Sequence, residues 1–125
     1  LDTCGNIILE GERFAKIREA ATQQGPASAP GICLDCHFAW FEAVKHWPIL
    51  KHLNAQSQSS VLYDLVAVYL GFAEDLLVME DLPVLVTPDG KTMIDDSGDN
   101  VRCATSWQDK HAFLDLVTER LATSG

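Results

Sequence analysis

Val61-Leu62-Tyr63-Asp64-Leu65-Val66-Ala67-Val68-Tyr69 is the stretch on which the fold turns. Taken at helical spacing, Val61, Leu62, Leu65, Val66, Tyr69 and Leu70 form one apolar stripe that continues through Ala73, Leu76 and Leu77. Taken as a strand, the same run has the β-branched and aromatic content of a buried strand. Periodicity alone does not choose between them, and the longer stripe tips the local expectation towards a helix. The expected fold is a helix-rich α/β domain, which a strand here would suit best, and the alternative is a mostly α domain carrying one β-hairpin.

Downstream the pattern is plainer. Leu82-Pro83-Val84-Leu85-Val86 reads as a strand, Pro88-Asp89-Gly90 as a turn and Lys91-Thr92-Met93-Ile94 as the antiparallel partner. Residues 95–100 form an acidic loop, and 101–104 another short extended piece. Thr105 or Ser106 is expected to cap a final helix through Leu121, with Trp107, Phe113, Leu114, Val117 and Leu121 in the core. Upstream, Phe14, Ile17, Ala20 and Ala21 recur at helical spacing within residues 10–24, and residues 7–9 are a short strand or a helix entry. The Gly-Pro-Ala-Ser-Ala-Pro-Gly run at 25–31 ends that helix and delays the next. The second helix is expected to open at Cys33. Pro48 interrupts it, because proline removes a backbone donor, and starts a short helix over 48–54. A polar linker then spans 56–60.

The chain has 125 residues, enough for a single domain over residues 1–125 with one core. Its formal net charge is −9, from nine basic and eighteen acidic side chains. Nucleic acid is excluded as an expected partner, because the only basic cluster, Arg13, Lys16 and Arg18, is neutralised by Glu10, Glu12 and Glu19. A membrane partner is not expected either. The richest apolar stretch, 61–79, is broken by Asp64, Gly71, Glu74 and Asp75, so it falls short of the roughly 18 residues of a membrane span. No basic or apolar leader precedes Leu1-Asp2-Thr3-Cys4, so a soluble, cytoplasmic chain is the expectation. The missing initiator Met leaves room for a leader already removed.

The chemistry gathers at Cys33-Leu34-Asp35-Cys36-His37. Cysteines three apart share one helix face. At a helix N-terminus the dipole and unpaired amides lower a thiol's pKa, which favours the thiolate that attacks disulfides or binds metal. Asp35 works against this by adding negative charge beside the thiols. The leading expectation is therefore thiol–disulfide redox or thiol-relay chemistry at Cys33 and Cys36 with a protein thiol or disulfide as partner and no cofactor. A metal site is the first alternative, with Cys4 and Cys103 joining Cys33 and Cys36 around zinc or an iron–sulfur cluster. Cys-x-x-Cys-His is also the attachment pattern of c-type haem, with His37 as axial ligand and Met79 or Met93 as distal sulfur. The blandest alternative is a static disulfide or two buried thiols in a non-enzymatic interaction domain, whose contacts would be Trp40, Trp47 and Trp107. His37 and His46 are nine apart and fall on opposite helix faces, and Pro48 separates His52, so these histidines make no helical ligand set. The acidic run at 95–100 lacks the ligand spacing and closing Glu of a calcium loop and reads as a solvated turn.

Taken with Cys33 and Cys36, the segment 79–86 followed by Asp89-Gly90, the strand at 91–94 and the closing helix resembles the thioredoxin-like superfamily over residues 33–122. The resemblance implies a CxxC at a helix start, Cys33 as attacking thiol, Cys36 as resolving thiol, and a cis Pro83 that faces the pair and shapes the substrate groove. It departs from the family in having Ala27-Ser28-Ala29-Pro30-Gly31-Ile32 where a buried strand should lead into the first cysteine. An aromatic residue before that cysteine is missing too.

Overall fold

The computed structural model describes residues 3–123 and shows a mixed α/β, helix-rich chain. In order come α1 (Gly11–Gln24), α2 (Ala29–Val44), a short 3-10 helix (Pro48–His52), α3 (Asp64–Leu70), β1 (Leu77–Val86), β2 (Thr92–Ile94), β3 (Asp99–Trp107) and α4 (Lys110–Ala122). The deciding stretch is thus a helix over its second half. Val66 and Tyr69 turn inward there while Val68 faces out, which is why the stripe reads at helical rather than strand period.

The sheet is three-stranded and antiparallel, in the order β2-β1-β3. β1 begins five residues before the expected Leu82. Its early part reads poorly as a strand because Glu80 and Asp81 are exposed and the ladder is irregular between Val78 and Met79. β3 runs on through Thr105 and Ser106 to Trp107, pairing back to Val78 and Leu77. Those two residues therefore cap nothing. Asp109 caps α4 instead, its carboxylate accepting the Ala112 N–H at 2.9 Å.

Ile7, Leu9, Ile17, Val66, Tyr69, Leu77, Phe113 and Leu114 form the core. Only the base of the sheet joins it, through Leu77, Met79, Ala104 and Trp107. Trp107 lies against Phe113 and donates its indole N–H to the Thr3 carbonyl. The extended segment 7–9 is stitched to the polar run that reads as a linker. Ser59 N–H donates to Leu9 O, Leu62 N–H donates to Ile7 O, and Ser59 Oγ accepts from Leu9 N–H. Buried backbone groups need partners, and this pairing supplies them.

α1 packs on both α2 and α4. Gly25 closes α1 at φ 89°, and its N–H donates to Ala21 O. The chain then turns so tightly that a Cβ on Gly31 would sit 2.5 Å from Gly25 O and 2.8 Å from Pro26 Cα. Glycine at 31 is what lets the second helix start against the first.

Candidate functional site

α2 opens at Ala29, four residues before the expected Cys33. Ser28 is its N-cap, with Oγ accepting the Gly31 N–H at 3.2 Å, and proline stands in its first turn. Pro30 reads as part of a breaker run, yet the first helical turn tolerates proline because its amides have no intrahelical partner. Cys33 and Cys36 consequently lie inside the helix, past the free amides of its first turn. The dipole argument for an activated thiol fails on that geometry.

All four cysteines are free thiols, and Cys33 and Cys36 are exposed. Partial burial pushes the Cys33 thiol up from its ordinary value, and the charge of Cys36 adds to the rise. Side chains three apart on a helix have Cβ atoms about 5–6 Å apart. A disulfide wants about 3.5–4.5 Å, so closing this bridge requires a local adjustment of α2.

The two thiols edge a cleft of about 390 Å³ that is lined almost wholly by apolar side chains. Phe14 and Ile17 come from α1, Leu34 and Trp40 from α2, Leu62 and Leu65 from the approach to α3 and α3 itself, Leu9 from the N-terminal segment and Leu121 from α4. Ser59 and Ser60 supply the polar lining. Such concave apolar sites with a few polar groups are the usual form of ligand clefts.

His37 is half-buried among aromatic rings, with centroids 5.3 Å from Phe14, 4.9 Å from Phe38 and 4.8 Å from Phe41. Its Nε2 lies 2.8 Å from the Ala55 carbonyl. A carbonyl only accepts, so Nε2 carries the proton and is engaged. His37 thus locks α2 to the loop after the 3-10 helix and walls the cleft, rather than offering that nitrogen as a haem ligand. Neither Met79 nor Met93 lines the cleft. Met79 packs on the core from β1, and Met93 is exposed on β2.

The other expected site residues lie elsewhere. Cys4 packs at the core beside Thr3. Cys103 sits on β3 opposite Glu80, its Sγ 3.3 Å from Val101 O. Among the described residues no three His, Cys, Asp or Glu side chains gather as a metal-binding group. Pro83 does not line the cleft either. It lies inside β1, cross-strand from Asn100, and no peptide bond among the described residues is cis. The position suits proline. Its carbonyl accepts from Asp95 N–H just past the end of β2, so its missing donor falls on the side where β2 has ended and the β1–β3 ladder loses nothing. The acidic loop is a closed turn in which Asp95 accepts from the Ser97 N–H and hydroxyl.

Trp40 and Trp47 are both exposed and meet edge to face, with centroids 6.5 Å apart. Among the described residues no helix is long and apolar enough to cross a membrane. The cysteine pair was visible in the sequence, but the cleft was not, since its walls come from separate elements. Its only sequence signal is the excess of large apolar residues on α2 over what one helix face can bury. Comparison with protein-family models, curated proteins and solved structures finds no match.

Proposed function

We propose that this protein is a thiol–disulfide exchange protein in which the Cys33/Cys36 pair acts on cysteines carried by apolar segments that seat in the adjoining cleft. One observation carries the reading: two exposed free thiols one helical turn apart edge an apolar cleft of about 390 Å³. An exposed bridge that needs its helix to adjust is labile, which is the property of catalytic rather than structural disulfides.

A low-molecular-weight disulfide oxidises the pair and leaves as two thiols. A substrate thiolate then attacks the Cys33 sulfur, the Cys33–Cys36 bond breaks, and Cys36 departs as a thiolate that takes up a proton. Cys33 keeps the mixed disulfide in this scheme, as the attacking thiol of the reverse course must. A second substrate thiol loses its proton, attacks the mixed disulfide and releases Cys33. Two electrons pass from the substrate dithiol to the pair. The reverse course reduces a substrate disulfide through the same intermediate, with Cys33 attacking and Cys36 resolving.

A thioredoxin-like kinship belongs to this proposal. It is supported by the order of CxxC helix, antiparallel strands and closing helix. It is opposed by α2 following α1 across residues 25–28 with no strand between them, and by Pro83 standing apart from the pair without a cis bond.

The test is incubation in a glutathione redox buffer followed by mass spectrometry. Wild type should form the Cys33–Cys36 disulfide and pass it to a dithiol peptide with apolar flanks. Cys36→Ser should accumulate a mixed disulfide on Cys33, and Cys4→Ser should behave as wild type. Two cysteines that alkylate independently and never bridge would end the proposal.

A further inference from the structure

A second apolar groove, of about 400 Å³, lies between α3 and α4. Among the described large apolar residues Phe72 is the most exposed, at 71%, and Val68 stands at 62%. Single exposed apolar residues are ordinary, but these two line the same groove as Leu65, Leu116 and Val117. Tyr69 also lines it, yet its hydroxyl donates to Asp75 at 2.7 Å and so is already committed. Among the described residues no acidic side chain lines the groove, in a chain that carries eighteen.

Among the described residues the one charged group there is Arg120. Arg13 pairs with Asp115, Arg18 donates to the Gln56 carbonyl, and Arg102 holds Glu74 through two nitrogens. Among the described residues, Arg120 alone of the four arginines makes no side-chain hydrogen bond or ion pair. Its place in the last turn of α4 suits the helix dipole. That accounts for a cation at the helix end but not for the apolar groove beneath it.

We propose that this groove binds a single-chain monocarboxylate amphiphile, with the alkyl chain on Leu65, Val68, Phe72, Leu116 and Val117 and the carboxylate on Arg120. Guanidinium and carboxylate match in shape and form a charge-assisted, two-pronged hydrogen bond. The volume lies within the range of small-molecule sites, which form between helices with few polar groups. Charge selects this occupant over others. A second copy would bring another −9 against −9, and a polyanion would meet the same field with one cation to hold it. One carboxylate needs only one cation. The site is separate from the thiol cleft, although Leu65 and Leu121 line both.

The test is calorimetric titration of the whole chain with dodecanoate and dodecan-1-ol below their aggregation concentrations. Dodecanoate should bind one to one, and about tenfold or more tightly than the alcohol, as expected for a hydrogen bond to a charged group. Arg120→Gln should weaken dodecanoate by a similar factor and leave the alcohol unchanged. Val68→Asp should abolish binding of both. Equal affinity for acid and alcohol, or indifference to Arg120→Gln, would overturn the proposal. So would dodecanoate shielding Cys33 and Cys36 from alkylation in Arg120→Gln as in wild type, because that places the ligand in the thiol cleft. Concentration-dependent dimerisation lost in Val68→Asp would also overturn it, by making a second copy the occupant. Both variants are at exposed positions, and an unchanged circular dichroism spectrum confirms their folding.

Discussion

α1 and α2 lie side by side and divide two tasks between them. α1, Gly11–Gln24, is the more polar helix, yet it buries Phe14, Ile17 and Ala20 and is tied to α4 through Arg13–Asp115 and Lys16–Glu119. α2, Ala29–Val44, has only Asp35 and Glu42 as charged residues and buries just Pro30 and Gly31, both in its first turn. Everything chemical on α2 lies beyond that anchor: Cys33, Cys36, His37 and Trp40. The difference teaches that apolar content measures how much surface favours cover, while burial depends on what neighbours arrive. α1 has neighbours on two sides. α2 is held at its start and again at His37, and its remaining apolar surface walls a cleft.

The contrast breaks most clearly in the core. Ile17→Ala should cost about 2–4 kcal/mol of stability, because it removes buried methyl groups from a site that collapses only partly. Ile32→Ala, at an exposed position on α2, should stay within about 0.5 kcal/mol. Urea unfolding of both variants checks the pair, and equal costs would mean that α2 is covered in solution.

Gly31→Ala probes the seam between the helices and should cost about 1–3 kcal/mol, since the added Cβ meets backbone rather than a side chain that can move. The same denaturation experiment reads it. A neutral result would show that the turn at 25–28 relaxes freely.

The finest effect is in reactivity. The raised Cys33 pKa means that its thiolate is scarce at neutral pH, so the pH midpoint of Cys33 alkylation should lie above that of an exposed thiol, about 8.5. Cys36→Ser should lower that midpoint by removing the charge repulsion and leave the larger burial effect in place. The linkage has a sign. A thiol harder to ionise when folded loses its proton first from the unfolded chain, so stability is full below the unfolded thiol's pKa and falls as pH rises from there through the raised folded one. A pH–rate profile by mass spectrometry measures the midpoint. A value at or below the ordinary one would return the pair to the activated-thiol picture.

Much of the helical framework is legible in the residues. Phe14, Ile17 and Ala20 mark α1 by spacing, Pro48 starts the 3-10 helix, and Asp89-Gly90 marks the turn between β1 and β2. Local signals mislead where a residue type has two uses. Pro30 breaks a helix interior but suits a first turn, so α2 begins earlier than its breakers suggest. Thr105 and Ser106 suit a helix cap but serve as strand residues, because β1 is long enough to pair with them. Glu80 and Asp81 hide the first half of β1, since an exposed two-residue acidic step is tolerated where one sheet face meets water.

By itself the sequence determined that Cys33 and Cys36 share a helix face, that the chain is strongly acidic and that a helical N-terminal part precedes a β-hairpin and a closing helix. These depend on covalent spacing, charge and local backbone preference, which neighbours far along the chain do not alter. Tertiary structure alone decided that the thiols' surroundings are apolar and that Cys4, Cys103 and Pro83 stand apart from them. It also set Arg120 beside an apolar groove. Each is a matter of which distant segments are brought together, and side chains from Leu9 to Leu121 meet at the cleft only once the core of Ile7, Val66 and Phe113 has closed.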